Sequence, residues 1–192
     1  MRGELNAWTG RMTMFGGYKR LALTVVGGLF LFLVAAPAVK AEPAPITAFV
    51  GTFAGTGVAE TFDNIYAPES VRDLDVTIAR AEGGFSVTWT TVVRSAGGKV
   101  KRKTETLDFT STGVGSRYRN DRLSDPFGEG LAWAGIEDQT LSVFVLNIDS
   151  DGGYQLQRYS RTLTALGMDL VFTRKVDGED LRVVKAKLIR NR

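Results

Sequence analysis

Apolar and polar residues alternate along most of the chain after residue 48, which is the pattern of strands with one buried face. Residues 71–80 alternate in this way, and residues 85–94 do so again after the turn Glu82-Gly83-Gly84. Two amphipathic strands joined by a glycine turn predict a β-hairpin.

Turn-forming residues separate nine such segments, and no segment has a convincing helical period. The predicted strands cover residues 49–60, 71–80, 85–94, 99–110, 131–137, 140–148, 154–163, 168–176 and 181–190. Residues 113–130, rich in Gly, Arg and Asp, are predicted to form a long loop. Short hairpins favour a closed barrel over a sandwich, because closure removes two exposed edges. We therefore expect an all-β fold, a single antiparallel meander β-barrel of about 8–10 strands, over residues 49–192.

The first predicted strand places Phe53, Gly55 and Gly57 on one face. Glycine weakens a strand interior, so its repetition indicates a sharp bend or a close backbone approach.

Residues 1–41 have the order of a signal peptide. Lys19 and Arg20 precede an apolar run over residues 21–36, and small residues precede a cleavage site after Ala41. This predicts export to the periplasm or secretion, with residues 42–48 as a linker. An uncleaved anchor is the alternative, although the run is short for a membrane span. A start at Met14 would give the signal peptide a conventional short region before Lys19 and Arg20. Met14 is therefore a candidate for the true start of the protein, which would leave out residues 1–13.

Composition then excludes several classes of function. The 192 residues have a net charge of +3, but residues 1–41 hold five of the 24 basic and one of the 21 acidic residues. The remainder, with 19 basic and 20 acidic residues, has no net field for nucleic acid. The chain lacks Cys and His, so we expect no disulfide, zinc or copper site and no imidazole-bound haem. Haem could bind only through tyrosinate, from Tyr118, Tyr154 or Tyr159.

The segment Gly51-Thr52-Phe53-Ala54-Gly55-Thr56-Gly57 resembles the opening Gly-x-Trp of lipocalins and the Gly-Thr-Trp-x-Gly-x-Gly of nitrobindin-like proteins, with Phe53 in place of the tryptophan. Arg190 resembles the late arginine with which lipocalins cover that aromatic residue. The resemblance implies a calycin-type barrel over about residues 46–191, closed at one end by the pair Phe53 and Arg190.

Such a barrel would hold a small, mostly apolar ligand. The residues predicted to line its cavity are Phe53, Ile78, Trp89, Trp133, Leu156, Arg158 and Phe172. The sequence does not decide which face of residues 154–163 points into the barrel. Fatty-acid-binding proteins hold a lipid carboxylate with an inward Arg-x-Tyr pair, and here Tyr159 and Arg161 share a face in the reverse order, opposite to Arg158.

Three further segments have both a functional and a simpler interpretation. Lys99, Lys101, Arg102 and Lys103 could contact a membrane surface, or could form a solvated strand edge. Arg117-Tyr118-Arg119 could gate the barrel mouth or belong to a mobile loop. Asn147-x-Asp149-x-Asp151-Gly152 copies half of a calcium loop but lacks its glutamate, and a hairpin turn explains it better.

The sequence contains no nucleophile, phosphate-binding or metal motif, so we expect no catalytic residue, metal or cofactor. An enzyme on the same barrel, with a carboxylate pair from distant strands, is a third hypothesis. The leading hypothesis is an exported barrel that binds a small apolar molecule. The alternative is a cell-envelope interaction domain whose barrel is filled with side chains. A cavity of about 300 Å³ or more would distinguish the first from the second.

Overall fold

The computed structural model describes residues 42–62, 70–94 and 99–191. None of the helices among these residues has the length and hydrophobicity that a bilayer span requires. The predicted signal peptide, its cleavage site and the candidate start at Met14 lie outside the described residues. The one helix in the described part, α1 (Ile46–Phe49), forms a single turn in the segment expected to be a linker.

Ten strands follow α1 in the described residues. They are β1 (Gly51–Thr61), β2 (Ser70–Ala81), β3 (Gly84–Arg94), β4 (Val100–Ser111), β5 (Arg117–Asp125), β6 (Gly130–Glu137), β7 (Thr140–Ile148), β8 (Tyr154–Leu163), β9 (Gly167–Val176) and β10 (Glu179–Arg190). Each strand pairs antiparallel with the next along the chain, and β1 pairs with β10 to close the barrel. The expected all-β, closed meander barrel is confirmed.

The prediction of a loop over residues 113–130 is wrong, because β5 runs through it. The alternation that marks a strand is weak in β5, because this strand is polar and irregular. Its register with β6 shifts between Arg119 and Ser124. The Asn120 side chain stabilises this irregularity. Its Oδ1 accepts hydrogen bonds from the amides of Arg122 and Leu123, and its Nδ2 donates to the carbonyl of Asp108 on β4. Arg117, Tyr118 and Arg119 therefore belong to a strand of the barrel wall.

The glycines of β1 allow β10 to lie close. A Cβ atom on Gly55 would clash with the carbonyl oxygen of Lys187, and one on Gly57 would lie 2.9 Å from that of Lys185. Close backbone approach is therefore the reason for glycine at these two positions, as the sequence pattern indicated.

The packed core fills the end of the barrel at which β1 begins. Its largest fully buried apolar side chains are Phe49, Phe53, Phe85, Phe109, Ile78, Leu141, Met168 and Leu188. Residues of α1 pack against this core. The opposite half of the barrel is therefore the half with room for a ligand.

Arg190 covers the ring of Phe53 at the packed end. Its Cζ lies 4.6 Å from the ring centroid, and its two Nη atoms donate hydrogen bonds to the carbonyls of Val50 and Ala48. One guanidinium thus joins the last strand, the first strand and α1.

Candidate functional site

A cavity of about 450 Å³ occupies the barrel half away from α1, where β2 and β10 begin and β3 and β9 end. Its floor is formed by buried side chains, among them Val76, Trp89 and Leu170. At its mouth, Lys101 and Lys103 are exposed. The volume lies in the range of small-molecule sites and exceeds what a barrel filled with side chains would leave.

Three aromatic side chains form one wall of the cavity. The ring of Tyr159 lies between Trp89 and Phe172, with centroid separations of 4.9 Å and 4.7 Å. Leu74, Val76, Leu170 and Val184 supply aliphatic surface around them. This part of the cavity suits a flat or chain-like apolar body.

Arg161 lies at the floor with none of its surface exposed to solvent. Its Nε and both Nη atoms are buried and have no hydrogen-bond partner among the described residues. Among the described residues, two ring faces compensate its charge in part, since its Cζ lies 5.5 Å from the centroid of Tyr159 and 5.7 Å from that of Trp89. Burial lowers the pKa of this guanidinium to about 10, which still leaves it charged at neutral pH.

Tyr159 supplies a neutral polar group beside Arg161. Burial is the main cause that raises the pKa of its phenol, and the negative charge of Glu105 adds to it. Its hydroxyl donates a hydrogen bond of 3.0 Å to Oε1 of Gln157, which also lines the cavity. The phenol therefore stays protonated at neutral pH.

The cavity as a whole is strongly positive. Six cationic side chains and one carboxylate line it. The cations are Arg72, Lys101, Lys103, Arg161, Arg174 and Arg182. The carboxylate, Glu105, forms an ion pair with Lys103. Low-dielectric walls and one sign of charge concentrate a positive potential inside such a cleft.

The structure brings only part of the predicted lining together. Trp89 and Phe172 line the cavity, while Phe53 and Ile78 lie in the packed end and are fully buried. Trp133, Leu156 and Arg158 do not line it, because they lie on the outer face of the barrel.

The outward residues have contacts of their own. Trp133 stacks on Phe144 with centroids 4.9 Å apart and planes at 7°. The Cζ of Arg158 lies 5.6 Å from the same Phe144 ring. The prediction of Trp133 inside is wrong because Ala132 and Ala134 occupy the inward face of β6, and that of Leu156 and Arg158 is wrong because the other face of β8 is inside.

Sequence reasoning left out the arginines of the cavity. The sequence places Tyr159 and Arg161 on one face of β8 but does not indicate which face of the strand is inside. Arg174 is two residues from the inward Phe172, and Arg182 is two residues from the inward Val184. Residues two apart in a strand share a face, so this spacing could have indicated that both arginines point inward. Arginine rarely points into a protein interior, which argued against that interpretation.

The basic run on β4 is divided between the two faces of the strand. Lys101 and Lys103 line the cavity mouth, whereas Arg102 alternates to the outer face and Lys99 precedes the strand; all four are exposed. Contact of these residues with a membrane surface stays a prediction.

Among the described residues, no three Asp or Glu side chains group as metal ligands would. Asp149 to Gly153 form the turn between β7 and β8, closed by a hydrogen bond of 2.7 Å from the Asp149 amide to the Gly153 carbonyl. Of the three candidate haem tyrosines, Tyr159 faces the cavity, Tyr118 packs edge-on against Phe85, and Tyr154 is exposed.

No protein-family model and no curated protein sequence matches this chain. Among solved structures, it is similar to a protein of unknown function from the DUF3598 family of Nostoc punctiforme, with a TM-score of 0.55 and 17% identity. That match covers 82% of this chain and 53% of the other, so this chain spans about half the length of that protein. The chain has a lipocalin/calycin-like barrel fold.

A second match is an S-type phycobiliprotein lyase from Guillardia theta, with a TM-score of 0.34 and 9% identity over 77% of this chain and 90% of the other. At 17% identity, the match to the Nostoc punctiforme protein concerns the fold alone. The observations that bear on the function of the calycin-like barrel come from its own cavity.

Proposed function

We propose that this calycin-like barrel binds a small amphipathic acid, with an apolar or aromatic body against Trp89, Tyr159 and Phe172 and an acidic group on Arg161. The observation that carries the proposal is the guanidinium of Arg161, which is fully buried, faces the cavity and has no hydrogen-bond partner among the described residues.

An unpaired buried charge is costly, with an effective penalty of several kcal/mol per ion. A carboxylate, sulfonate or phosphate in the cavity would relieve this cost, because a guanidinium forms bidentate hydrogen bonds with such groups. A purely apolar ligand would leave the charge unpaired and would desolvate it further. The ligand class is therefore narrower than the mostly apolar molecule expected from the sequence.

The alternative, a filled barrel that acts only through its surface, is less well supported. The cavity volume of about 450 Å³ exceeds the threshold that separates the two hypotheses. Its aromatic wall is also continuous with the floor at Arg161, as expected of a site for one molecule with two kinds of surface.

Two fluorescent dyes with the same aromatic rings test the proposal. Anilinonaphthalene sulfonate carries an anion, and phenylnaphthylamine is its neutral counterpart. We expect the anionic dye to bind more tightly than the neutral dye, and Arg161→Met to remove this preference. Arg158→Met, on the outer face of the same strand, is the matched control and should retain it. Equal binding of the two dyes by the unaltered protein would contradict the proposal.

Export is a separate part of the proposed function. It is supported by the charged, apolar and small-residue order of residues 1–41. N-terminal sequencing of protein from the envelope and secreted fractions should find a start near Glu42. A start at Met1 or Met14 in the envelope fraction would indicate an anchored protein instead.

A further inference from the structure

Three arginines, from strands β2, β9 and β10, line the part of the cavity near its mouth. Arg182 on β10 lies directly opposite Arg174 on β9 in the strand register, and Arg72 projects from β2 on the far side of β1. All three line the cavity. Between β2 and β10, β1 places Gly57 opposite Arg72 and Thr61 opposite Arg182, with Ala59 between them on the same face, so only small side chains separate Arg72 from Arg182.

Arg174 and Arg182 lie opposite each other in the strand register, and all three side chains are alike in charge and incompletely paired. The Nε atom of each is buried without a hydrogen-bond partner among the described residues. None of the ion pairs between described residues includes any of the three. Arg174 donates a hydrogen bond to the side-chain amide of Gln155, which is neutral.

The like charges affect one another. Burial and, after it, the charge of Arg182 lower the pKa of Arg72. Like charges placed opposite each other across a sheet are destabilising. A bound anion between them would reverse the sign of this contribution, since each buried Nε–H could then donate to it.

Arg174 and Arg182, which lie opposite each other, are well separated from Arg161. Arg161 lies opposite Leu170 on β9, and Arg174 is four residues further along that strand. At about 3.3 Å per residue, the two levels are roughly 13 Å apart along the barrel. Phe172 lies between them on the inward face of β9, so the space between the two cationic levels has an apolar wall.

We propose that the cavity takes a molecule with two acidic groups at opposite ends of an apolar body, one on Arg161 and the other on Arg72, Arg174 and Arg182. This inference rests on the proposed function and adds the second anionic group. The arginines at the mouth make the cavity selective for dianions over monoanions of the same length.

The test uses ligand-free protein, prepared by unfolding and refolding, and three probes that share one chain: dodecanedioate, its monomethyl ester and dodecanoate. Isothermal titration should show that dodecanedioate binds about tenfold or more tightly than the other two probes. A difference of that size is expected when the second carboxylate forms charge-assisted hydrogen bonds with the arginines. In the double variant Arg174→Gln, Arg182→Gln, this advantage should disappear, while dodecanoate still binds through Arg161 and loses less affinity than dodecanedioate does. The retained binding of dodecanoate also shows that the variant is folded.

Arg102→Gln is the matched control, because Arg102 is a basic residue of the same barrel end on the outer face of β4. It should retain the preference for dodecanedioate. Equal affinity for dodecanedioate and dodecanoate in the unaltered protein would overturn the second acidic group and leave the proposed function standing. Inorganic phosphate could instead bind at the mouth while dodecanoate is bound, and dodecanedioate could fail to displace it. That result would show that the three arginines bind a free anion, and it would also overturn the second acidic group. If none of the three probes binds and the anionic dye does not bind either, the proposed function itself fails.

Discussion

The guanidinium of Arg161 lies 5.7 Å from the centroid of the Trp89 ring, at the floor of the cavity. With Tyr159 at 5.5 Å, this cation is held among described residues by aromatic faces alone. Cation–π contacts contribute about 2 kcal/mol or more where they are desolvated, which offsets only part of the cost of burying a charge. The ligand-free barrel therefore retains an uncompensated charge at the place where a ligand would sit.

Replacing that charge should stabilise the empty protein. Arg161→Met keeps an apolar side chain of similar length, and we expect it to raise the free energy of unfolding of ligand-free protein by about 1–4 kcal/mol. Urea denaturation at neutral pH measures the change. The same variant should lose binding of the anionic dye, so stability and binding move in opposite directions. A variant that is less stable than the ligand-free parent would show that Arg161 contributes to the folded structure through a partner within the protein.

Phe53 and Arg190 should be energetically coupled. Phe53→Ala removes a fully buried ring and leaves a cavity, at a cost of about 3–5 kcal/mol. Arg190→Ala removes a cation–π contact and two hydrogen bonds to carbonyls, at a cost of about 1–3 kcal/mol. Unfolding of the double variant should cost less than the sum of the two. Additivity within about 0.3–0.5 kcal/mol would mean that the two side chains do not interact in solution.

The two tryptophans of the described region should report differently on binding. Trp89 lines the cavity and Trp133 lies on the outer face, stacked on Phe144. Binding of dodecanoate should therefore change the fluorescence of the protein and of the Trp133→Phe variant. In Trp89→Phe the change should be absent. A response that is lost with Trp133 instead would place the ligand on the outside of the barrel.

Alkaline pH should destabilise the barrel through Tyr159. Because burial raises the pKa of its phenol above the ordinary value of 10.0, the unfolded chain loses this proton at lower pH than the folded protein does. The contribution of this phenol to the free energy of unfolding is therefore fully present below pH 10 and falls as the pH rises above it. In urea denaturation between about pH 9 and pH 11, Tyr159→Phe should show a shallower decline than the parent protein. The comparison concerns slopes, because the variant also loses the hydrogen bond to Gln157. Equal slopes would contradict the burial of this phenol.

The barrel could be predicted because the evidence for it is local. Alternation over residues 71–80 and 85–94 and the glycine turn between them specify a hairpin without reference to the rest of the chain. The contact between Phe53 and Arg190 could be predicted for a similar reason, since antiparallel pairing of the first and last strands determines which of their ends meet. β5 was missed because its pairing depends on Asn120, whose amide replaces part of the regular strand pairing.

The cavity was harder to predict because its inward face depends on tertiary context. Alternation gives two faces for β8 and does not say which one is inside, and a one-residue shift exchanges Arg158 for Arg161. General burial preferences then favour the wrong residues, since Trp133 is large and apolar and Arg161 is charged. The proposed function accounts for this failure, because a site for an acid would require a buried charge that folding alone would not select.

Native mass spectrometry of the protein purified from its own host tests most directly whether the cavity holds an amphipathic acid through Arg161. The unaltered protein and the Arg158→Met control should retain a small molecule that is released as an acid, and Arg161→Met should not retain it. Retention of the same molecule by Arg161→Met at the same occupancy, or release of a neutral molecule from the unaltered protein, would contradict the account.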